Sequence, residues 1–337
     1  MAPKVSIIIL NYNGRKHTID CLRSLEKVGY KNTEIILYDN GSSEDISEEI
    51  KRKFKKVRVI RRTTNIGFSG GNTDAYRYSH GKYVLLLNND TTVTKDFLTA
   101  LVNRMEKDPQ IGIVQPKIVF QRTKKLQSGC VFFTSTGFLY YLGFGKDPGN
   151  KTYNIPMQVH SANGACMLIR REVIEKIGLF DKDFFLYFEE TDFCHRALLA
   201  GYTVWYEPKA TIYHIGSVDN SRYKYSLLVY YSFRNRLVSY IKNLGLASLF
   251  VVLPVHTLLC IGLIFAYLFS GKPESSLAVC KALMYNIQNI RHTLQKRAYV
   301  QKHLRRLADG EFLLRVTRFP RIEYYLRLFT GLERYID

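Results

Sequence analysis

Short apolar runs alternate with helical patterns over the first two thirds of the chain, and this alternation limits the possible folds more than any other feature of the sequence. The runs are Val5–Leu10, Glu34–Tyr38, Val57–Ile60, Tyr83–Leu87, Ile111–Val114, Ala165–Ile169 and Thr203–Tyr206. Continuous apolar runs are typical of strands that are buried on both faces, and helices between such strands act as crossovers. The sequence therefore predicts an α/β protein built from βαβ units, with a mostly parallel sheet.

Polar residues directly follow several of these runs. The first run leads into Asn11–Gly14, the second into Asp39–Gly41 and the fourth into Asn88–Asp90. In open α/β sheets the carboxyl ends of the strands form the edge at which ligands bind. Asp39 can accept hydrogen bonds there from the base or ribose of a nucleotide, although an aspartate beside glycine also serves in ordinary turns.

A glycine-rich segment, Asn65–Asn72, precedes a predicted helix that ends near His80. Free backbone N–H groups at the start of a helix can bind an anionic ligand. The segment is not a Walker A loop, because no Gly-Lys-Ser/Thr follows, and it does not match the dinucleotide-binding fingerprint after a first strand. Two interpretations stay open: a loop that faces phosphate, and a glycine-rich turn without a ligand.

Asp90 comes to the same edge at the end of a buried strand, and it is a candidate metal ligand. Mg²⁺ and Mn²⁺ prefer oxygen ligands, and as Lewis acids they stabilise a phosphate leaving group. One carboxylate is a poor metal site by itself. His214 ends the last strand-like segment, and although a lone histidine is usually structural, it can supply a second protein ligand.

Three carboxylates begin a predicted helix after the aromatic run that starts at Phe184. They belong to Glu189, Glu190 and Asp192. Carboxylates in a first helical turn interact favourably with the helix dipole, so a helix cap is one interpretation. The other is a general base that takes a proton from an attacking hydroxyl, and either Glu190 or Asp192 can serve in that role.

Between about Pro116 and Pro156 the periodicity fades into a stretch rich in glycine, lysine and aromatic residues. A loop this long in a compact domain usually has a function or is mobile. We interpret it as a partly ordered excursion that faces the substrate.

The character of the chain changes after His214. Leu246–Phe269 contains no charged residue and is long enough to cross a bilayer as a helix, but Pro254 and His256 interrupt it. Basic residues flank it on both sides, so a full span, a re-entrant or interfacial element and a buried core helix all remain open. The tail, residues 291–337, interleaves Arg and Lys with Leu, Tyr and Phe, which indicates a basic amphipathic surface for anionic lipid.

The formal net charge of +20 indicates a surface that attracts nucleic acid, anionic lipid or phosphorylated small molecules. Basic and aromatic residues concentrate beside the apolar segment, which favours lipid. The six cysteines form no Cys-x-x-Cys pair, so neither a zinc site nor a disulfide framework is indicated, and we expect a reducing compartment. The N-terminus runs straight into a strand, so we expect no signal peptide. Together these features predict a location at the cytoplasmic face of the cell membrane.

The motifs, taken in this order, resemble glycosyltransferase family 2, whose members are inverting enzymes with the Rossmann-like GT-A fold. The resembling segments are Val5–Gly14, Asp39–Ser43, Asn65–Asn72, Leu87–Asp90, Gly178–Asp181, Phe184–Arg196 and Tyr213-His214. The resemblance is closest to the branch with rhamnosyltransferases and galactofuranosyltransferases of cell-surface polysaccharide synthesis. It implies transfer from a nucleotide-diphosphate sugar, such as dTDP-rhamnose or a UDP-sugar, to a hydroxyl of a saccharide or lipid-linked saccharide, with Mg²⁺ or Mn²⁺ as the cofactor.

The resemblance also implies roles for single residues. Asp90 and His214 would ligate the metal, and Glu190 would be the general base. Glu189 and Arg196 would lie on the acceptor side. The residues implied in nucleotide binding are Asn11, Asn13, Asp39, Asn65, Gly67, Asn72 and Asn89.

Two positions depart from the family pattern. Asn88 occupies the first position of the DxD region, so metal binding would depend more on Asp90 and His214. The Glu-Asp pair of the family is Glu189-Glu190 in this chain, so Asp192 stays an alternative base.

We expect residues 1–222 to form the catalytic domain and residues 223–337 to form a helical, membrane-associated extension. A sugar-nucleotidyltransferase is a second reading of the motifs, but the glycine-rich loop with a basic residue that such an enzyme needs is missing from the first strand and its loop. A third reading, from a different class, is a basic nucleic-acid-binding protein. It predicts a steep, salt-dependent affinity for RNA or DNA.

Overall fold

The strands of the first half pair as the apolar runs predict. The computed structural model describes residues 2–216 and 224–328. Its strands are β1 (Val5–Asn11), β2 (Thr33–Asn40), β3 (Val57–Arg62), β4 (Tyr83–Asn88), β5 (Thr91–Val93), β6 (Ile111–Phe120), β7 (Leu126–Ser128), β8 (Cys130–Phe132), β9 (Tyr140–Leu142), β10 (Met157–Gln158), β11 (Cys166–Arg170) and β12 (Thr203–His214). β1 pairs in parallel with β2 on one side and with β4 on the other, and β2 pairs in parallel with β3.

Helices cover both faces of this sheet. The α-helices of the described residues are α1 (Arg15–Glu26), α2 (Ser47–Lys53), α3 (Gly67–Ala75), α4 (Phe97–Met105), α5 (Arg171–Ile177), α6 (Glu189–Leu199), α7 (Tyr225–Asn243), α8 (Leu246–Phe269), α9 (Pro273–Gln288), α10 (Ile290–Tyr299), α11 (Asp309–Val316) and α12 (Ile322–Leu328). The core on one face includes residues of α1, α2 and α4, and the core on the other includes residues of α3, α5 and α6. The strands are therefore buried on both faces, as their apolar runs predict.

The strand order of the larger sheet is β10-β12-β6-β11-β4-β1-β2-β3, with β5 paired to β12 and β7 to β6. β11 runs antiparallel to β4 and β6, so the sheet is mostly but not wholly parallel. The order reverses at β1, because the chain moves to β2 on one side and later returns to β4 on the other. A crevice at the carboxyl ends of the strands accompanies such a switch point.

All seven predicted runs form strands, and two of these strands continue six or more residues past the predicted end. β12 continues past Tyr206 to His214. A register shift against β6 between Glu207 and Thr211 accommodates the polar and proline residues that end the apolar run. β6 likewise continues through Pro116. A bulge distorts the hydrogen-bond ladder between two strands locally without ending it. β12 therefore stays paired with β6 beyond the bulge and carries His214 to the ligand edge.

The C-terminal helices pack on one face of the sheet. Tyr240 of α7, Val252 of α8 and Phe312 of α11 belong to the same buried cluster as Ile8 and Leu86 of the central strands. Within the described residues, α8 is the one helix long and apolar enough to cross a membrane by length and composition. The predicted domain boundary after residue 222 and the end of the predicted basic tail, residues 329–337, lie outside the described residues. The division into two domains therefore stays a prediction.

Candidate active site

A cavity of about 210 Å³, the central cavity, opens beyond the carboxyl ends of the middle strands. Its walls come from the end of β4, the end of β12, the first turn of α6 and part of α7. Asp90, His214, Glu189 and Glu190 all line it. The fold thus brings together four predicted site residues from three distant segments of the sequence.

Asp90 and His214 lie side by side in the wall of the central cavity. Nε2 of His214 is 3.0 Å from Oδ1 of Asp90, and Nδ1 of the same ring is 2.8 Å from Oε1 of Gln127. When Nε2 is protonated, it donates a hydrogen bond to the carboxylate of Asp90. When Nε2 loses this proton and Nδ1–H donates to Gln127, Nε2 offers a lone pair beside the carboxylate oxygen, and a cation can take the place of the proton.

Asp90 carries a negative charge at neutral pH although it is buried. Burial raises the pKa of this carboxyl group, but the adjacent His214 and the backbone N–H of Gly216 outweigh the burial and lower the pKa of Asp90 below its usual value. The ionised form is the one that binds a metal ion.

The donor set fits a divalent cation that is shared with a bound substrate. Carboxylate oxygen suits Mg²⁺ and Mn²⁺, and a neutral imidazole nitrogen is the commonest protein ligand of metal ions. Gln127 orients the ring of His214 as the outer partners of metal-binding histidines do. Within residues 2–216 and 224–328, no group of three or more His, Cys, Asp or Glu side chains is placed to hold a metal. The remaining ligands would have to be substrate and water oxygens, as is common for Mg²⁺.

A strained turn leads into α6. Tyr187 and Phe188 have φ angles of 67° and 70°, a conformation that costs about 1–3 kcal/mol for a residue other than glycine. The side-chain amide of Asn235, from α7, donates to the carbonyls of Leu186 (2.9 Å) and Tyr187 (2.7 Å). α7 therefore holds the turn that sets the direction of the first turn of α6.

Glu189 and Glu190 face the central cavity from the start of α6, in two different environments. Glu189 is buried, whereas Glu190 is half-buried. Burial, followed by the negative charge of Glu190, raises the pKa of Glu189 well above its usual value. Glu189 therefore stays protonated to a higher pH than an ordinary glutamate. A buried carboxyl group with a raised pKa beside a second carboxyl group is typical of sites for acid–base chemistry.

Asp192 and Arg196 lie elsewhere on α6. The carboxylate of Asp192 is fully buried and accepts hydrogen bonds from Arg196 (2.9 Å), Lys242 (2.9 Å) and Asn243 (2.8 Å). Arg196 also donates to three backbone carbonyls of residues 177–179. Neither Asp192 nor Arg196 lines the central cavity. Their positions therefore do not support the predicted roles of alternative base and acceptor contact.

Asp39, Asn11 and Asn13 meet at the ends of β1 and β2, as predicted, and they bond to one another and to the adjacent loop. Oδ1 of Asp39 accepts from the backbone N–H of Ser42 (3.2 Å) and from the amide of Asn11 (3.4 Å). Its Oδ2 lies 3.3 Å from Nε of Arg61. The backbone N–H of Asn13 donates to the Ser42 hydroxyl (2.9 Å). These bonds fix the two loops relative to each other beside the switch point.

The glycine-rich segment forms the start of α3. Gly67 has a φ of +77°, and a Cβ there would lie 2.3 Å from the carbonyl oxygen of Phe185, so only glycine fits. Oδ1 of Asn65 accepts from the Gly67 N–H (2.8 Å), and the buried Asn72 donates to the backbone carbonyl four residues earlier. Asn65, Gly67 and Asn89 line a smaller cavity that shares lining residues with the central cavity. The two cavities together form a continuous cleft along the strand ends.

Several residues that line the central cavity lie outside the sequence motifs and were not predicted. Gln127, Tyr141 and Phe144 come from the stretch interpreted as an excursion, much of which is ordered as β6 to β9. Arg236 comes from α7, and its guanidinium lies over the ring of Phe138. The aromatic and basic composition of both segments was the only available signal, because no strand end or spacing marks these positions.

Known proteins match large parts of the chain. The family model described as Glycosyl transferase family 2 matches residues 6–178. The chain is 29% identical over 247 residues to the low-salt glycan biosynthesis hexosyltransferase Agl10 of Haloferax volcanii, with 71% of this chain and 76% of the relative covered. It is 22% identical over 239 residues to an N-acetylglucosaminyl-diphospho-decaprenol L-rhamnosyltransferase of Mycobacterium tuberculosis, with 64% and 76% covered.

A solved structure supports the fold. The mannosyltransferase PcManGT from Pyrobaculum calidifontis, in complex with GDP-Man and Mn²⁺, aligns with a TM-score of 0.54 and 16% identity, and the alignment covers 89% of this chain and 86% of the mannosyltransferase. At this identity the likeness concerns the fold alone. The predicted GT-A fold with a C-terminal helical region is confirmed.

Proposed function

The chain belongs to glycosyltransferase family 2 and is a glycosyltransferase of glycan synthesis, and we propose that it transfers a sugar, with inversion, from a nucleotide-diphosphate sugar to a saccharide hydroxyl. One observation carries the proposal: Glu190 lines the same cavity as Asp90 and His214. A base and a site for the leaving diphosphate are the two groups that a direct displacement requires.

Glu190 acts as the general base in this proposal. Its carboxylate takes the proton from the acceptor hydroxyl while that oxygen attacks the anomeric carbon. The bond from this carbon to the diphosphate oxygen breaks on the opposite face, so the configuration inverts. Glu189, held protonated by burial and by the charge of its neighbour, does not compete for the proton and can donate a hydrogen bond.

Asp90 and His214 would hold a Mg²⁺ or Mn²⁺ ion together with the donor diphosphate. The ion, when bound, stabilises the charge on the leaving diphosphate as a Lewis acid. Gln127 keeps the Nε2 atom of His214 directed at the site. The loops at Asp39 and Gly67 border the remainder of the cleft, where we place the nucleoside. Asn11, Asn13, Asn65 and Asn72 support these loops through the bonds described above.

A product assay of the purified protein tests this function. Nucleotide sugars, including dTDP-rhamnose and UDP-sugars, are offered with Mg²⁺ or Mn²⁺ and a lipid-linked saccharide. We expect acceptor-dependent release of a nucleoside diphosphate and a product whose anomeric configuration, measured by NMR, is opposite to that of the donor. Release of free pyrophosphate would instead indicate a sugar-nucleotidyltransferase. Retention of configuration would contradict the role of Glu190.

For the acceptor we propose a lipid-linked saccharide at the cytoplasmic face of the membrane. The mycobacterial relative is named for a lipid-diphosphate acceptor, and α8 of this chain is apolar and largely exposed. A soluble saccharide that is used as well as its lipid-linked counterpart would contradict this choice.

A further inference from the structure

One side of α8 packs along the rest of the protein. The buried residues Val252, His256, Cys260, Leu263 and Tyr267 recur every three or four positions and form one stripe. The stripe extends over about 22 Å of the helix axis, at about 1.5 Å per residue. Because the contact runs lengthwise, α8 lies along the body of the protein and does not project from it.

The other side of α8 is exposed and apolar. Leu246, Phe250, Leu258, Phe265 and Phe269 are each more than half exposed. The helix contains no charged residue. Soluble monomers rarely expose an apolar stripe of this length. A helix that is apolar on all sides and buried on only one needs an apolar surrounding on the other.

α9 returns beside α8, and its exposed face carries a charge. The hydroxyl of Ser276 in α9 donates to the carbonyl of Ile264 in α8 (2.8 Å). Lys281 is exposed halfway along α9, at helical spacing from the exposed Leu277 and Met284. If α8 and α9 crossed a bilayer as a hairpin, Lys281 would face hydrocarbon. At an interface its long side chain reaches the headgroups while the neighbouring side chains stay in the apolar layer.

Phe138 connects α8 to the central cavity. Its ring centroid lies 4.6 Å from that of His256 in α8. The guanidinium of Arg236, which lines the cavity, lies 4.7 Å from the same ring. Leu139, the next residue, also lines the cavity. A single layer of side chains therefore separates the buried stripe of α8 from the cavity.

We propose that α8 lies in the plane of one leaflet of an anionic membrane, with its exposed stripe among the acyl chains. α9 carries Glu274 and Lys281, Lys272 directly precedes it, and the whole chain has a net charge of +20, so an anionic leaflet complements this surface. A helix in this position brings the saccharide of a lipid-linked acceptor beside the central cavity. This consequence, unlike the membrane contact itself, rests on the proposed function.

Co-sedimentation with vesicles of phosphatidylglycerol and phosphatidylcholine tests the surface without catalysis. We expect Leu258→Ser to lower the partition coefficient about tenfold, since a buried leucine contributes about 1.5–3 kcal/mol. Ile155→Ser is the matched control, because Ile155 is 58% exposed and Leu258 is 69% exposed, and it should leave partitioning unchanged. We expect weaker binding of the wild-type protein to vesicles of phosphatidylcholine alone.

Tryptophan depth measurements distinguish an in-plane helix from a spanning one. Phe250→Trp, Leu258→Trp and Phe269→Trp place a fluorophore at the two ends and near the middle of the exposed stripe, and the emission of the native Trp205 is subtracted. With lipids brominated at shallow or deep carbons, we expect similar, shallow quenching at all three positions. Deep quenching at residue 258 with shallow quenching at both ends would establish a span and overturn the proposal.

Two other results would also overturn it. The first is equal partitioning of the wild-type and Leu258→Ser proteins. The second is a concentration-dependent dimer, seen by sedimentation velocity without lipid, that Leu258→Ser abolishes, because the stripe would then bind a second copy. Each result leaves the glycosyl transfer testable, since donor turnover with a soluble acceptor analogue is measured separately.

Discussion

Two carboxylates in the first turn of α6, those of Glu190 and Asp192, face different surroundings. Glu190 points into the central cavity, whereas Asp192, two residues later, is buried against α7, where Lys242 and Asn243 bind it. Residues two apart on a helix lie on different faces, so they meet different surroundings. The comparison indicates that the surroundings decide which carboxylate can exchange a proton with a substrate and which one holds the fold together.

The largest expected effect is the loss of turnover in Glu190→Gln. The amide cannot take a proton, so we expect kcat to fall about 10³-fold, roughly 4 kcal/mol of barrier. The affinity for the donor, measured by calorimetry with the nucleotide sugar and Mn²⁺, should stay close to that of the wild type. Wild-type turnover in this variant would remove Glu190 as the base.

Asp192→Asn tests whether the buried carboxylate of Asp192 stabilises the fold. Removing the charge leaves Lys242 and Arg196 without their shared buried partner, and we expect a loss of about 3–5 kcal/mol in the free energy of unfolding, measured with urea. Because the pKa of Asp192 is lowered by Lys242 and Arg196 despite burial, its contribution is present above the usual carboxyl pKa and is lost as the pH falls through the lowered value.

The turnover of folded Asp192→Asn should stay within a few fold of the wild type at low temperature. A normal free energy of unfolding with turnover reduced as strongly as in Glu190→Gln would reverse the two assignments. The double variant Asp192→Asn, Lys242→Met should recover part of the lost stability, because it also removes the buried Lys242 charge, which in Asp192→Asn keeps only one of its two carboxylate partners, Asp181.

Asn235→Ala tests whether α7 sets the direction of Glu190. Without the amide, nothing replaces the bonds to the carbonyls of Leu186 and Tyr187 that hold the strained turn. A shift of about 1 Å at the base lowers the rate about 100-fold, so we expect kcat to fall between about 10-fold and 100-fold while KM for the donor changes little.

Asn235→Asp is a second variant at the same position and tests the amide donors specifically. It retains an oxygen for the hydrogen bond from Arg234 but has no N–H to donate to the turn. We expect it to lose as much kcat as Asn235→Ala. Normal kcat in Asn235→Asp would show that the amide donors do not position the base.

The strands and the residues at their ends were predictable because their signals are local. An apolar run and the polar residue that follows it are enough to place Asp90 at the ligand edge. The division of roles within α6 was not predictable, because Lys242 is 50 residues from Asp192 in the sequence and Asn235 is 48 residues from Tyr187. Which face of α6 meets these residues is decided by the packing of α7, and the spacing of the carboxylates carries no information about it.

Glu189 directly precedes the two compared residues on α6 and gives the smallest expected effect. Its pKa is raised in the folded protein by burial and by Glu190, so folding favours the protonated form, and stability is lost as the pH rises above the ordinary value of 4.5. Glu189→Gln cannot ionise and keeps a neutral hydrogen-bonding group. We therefore expect it to match the wild type near pH 4.5 and to become more stable than the wild type as the pH rises to 8.

The midpoint of urea unfolding at several pH values measures this difference, which amounts to about 1.4 kcal/mol for each pH unit by which the folded pKa exceeds the ordinary one. In the double variant Glu189→Gln, Glu190→Gln the gain should be similar to that of Glu189→Gln alone, because a neutral residue at position 189 no longer repels Glu190. A constant difference at all pH values would mean that Glu189 ionises normally in the folded protein, and the whole first turn of α6 would then be negatively charged.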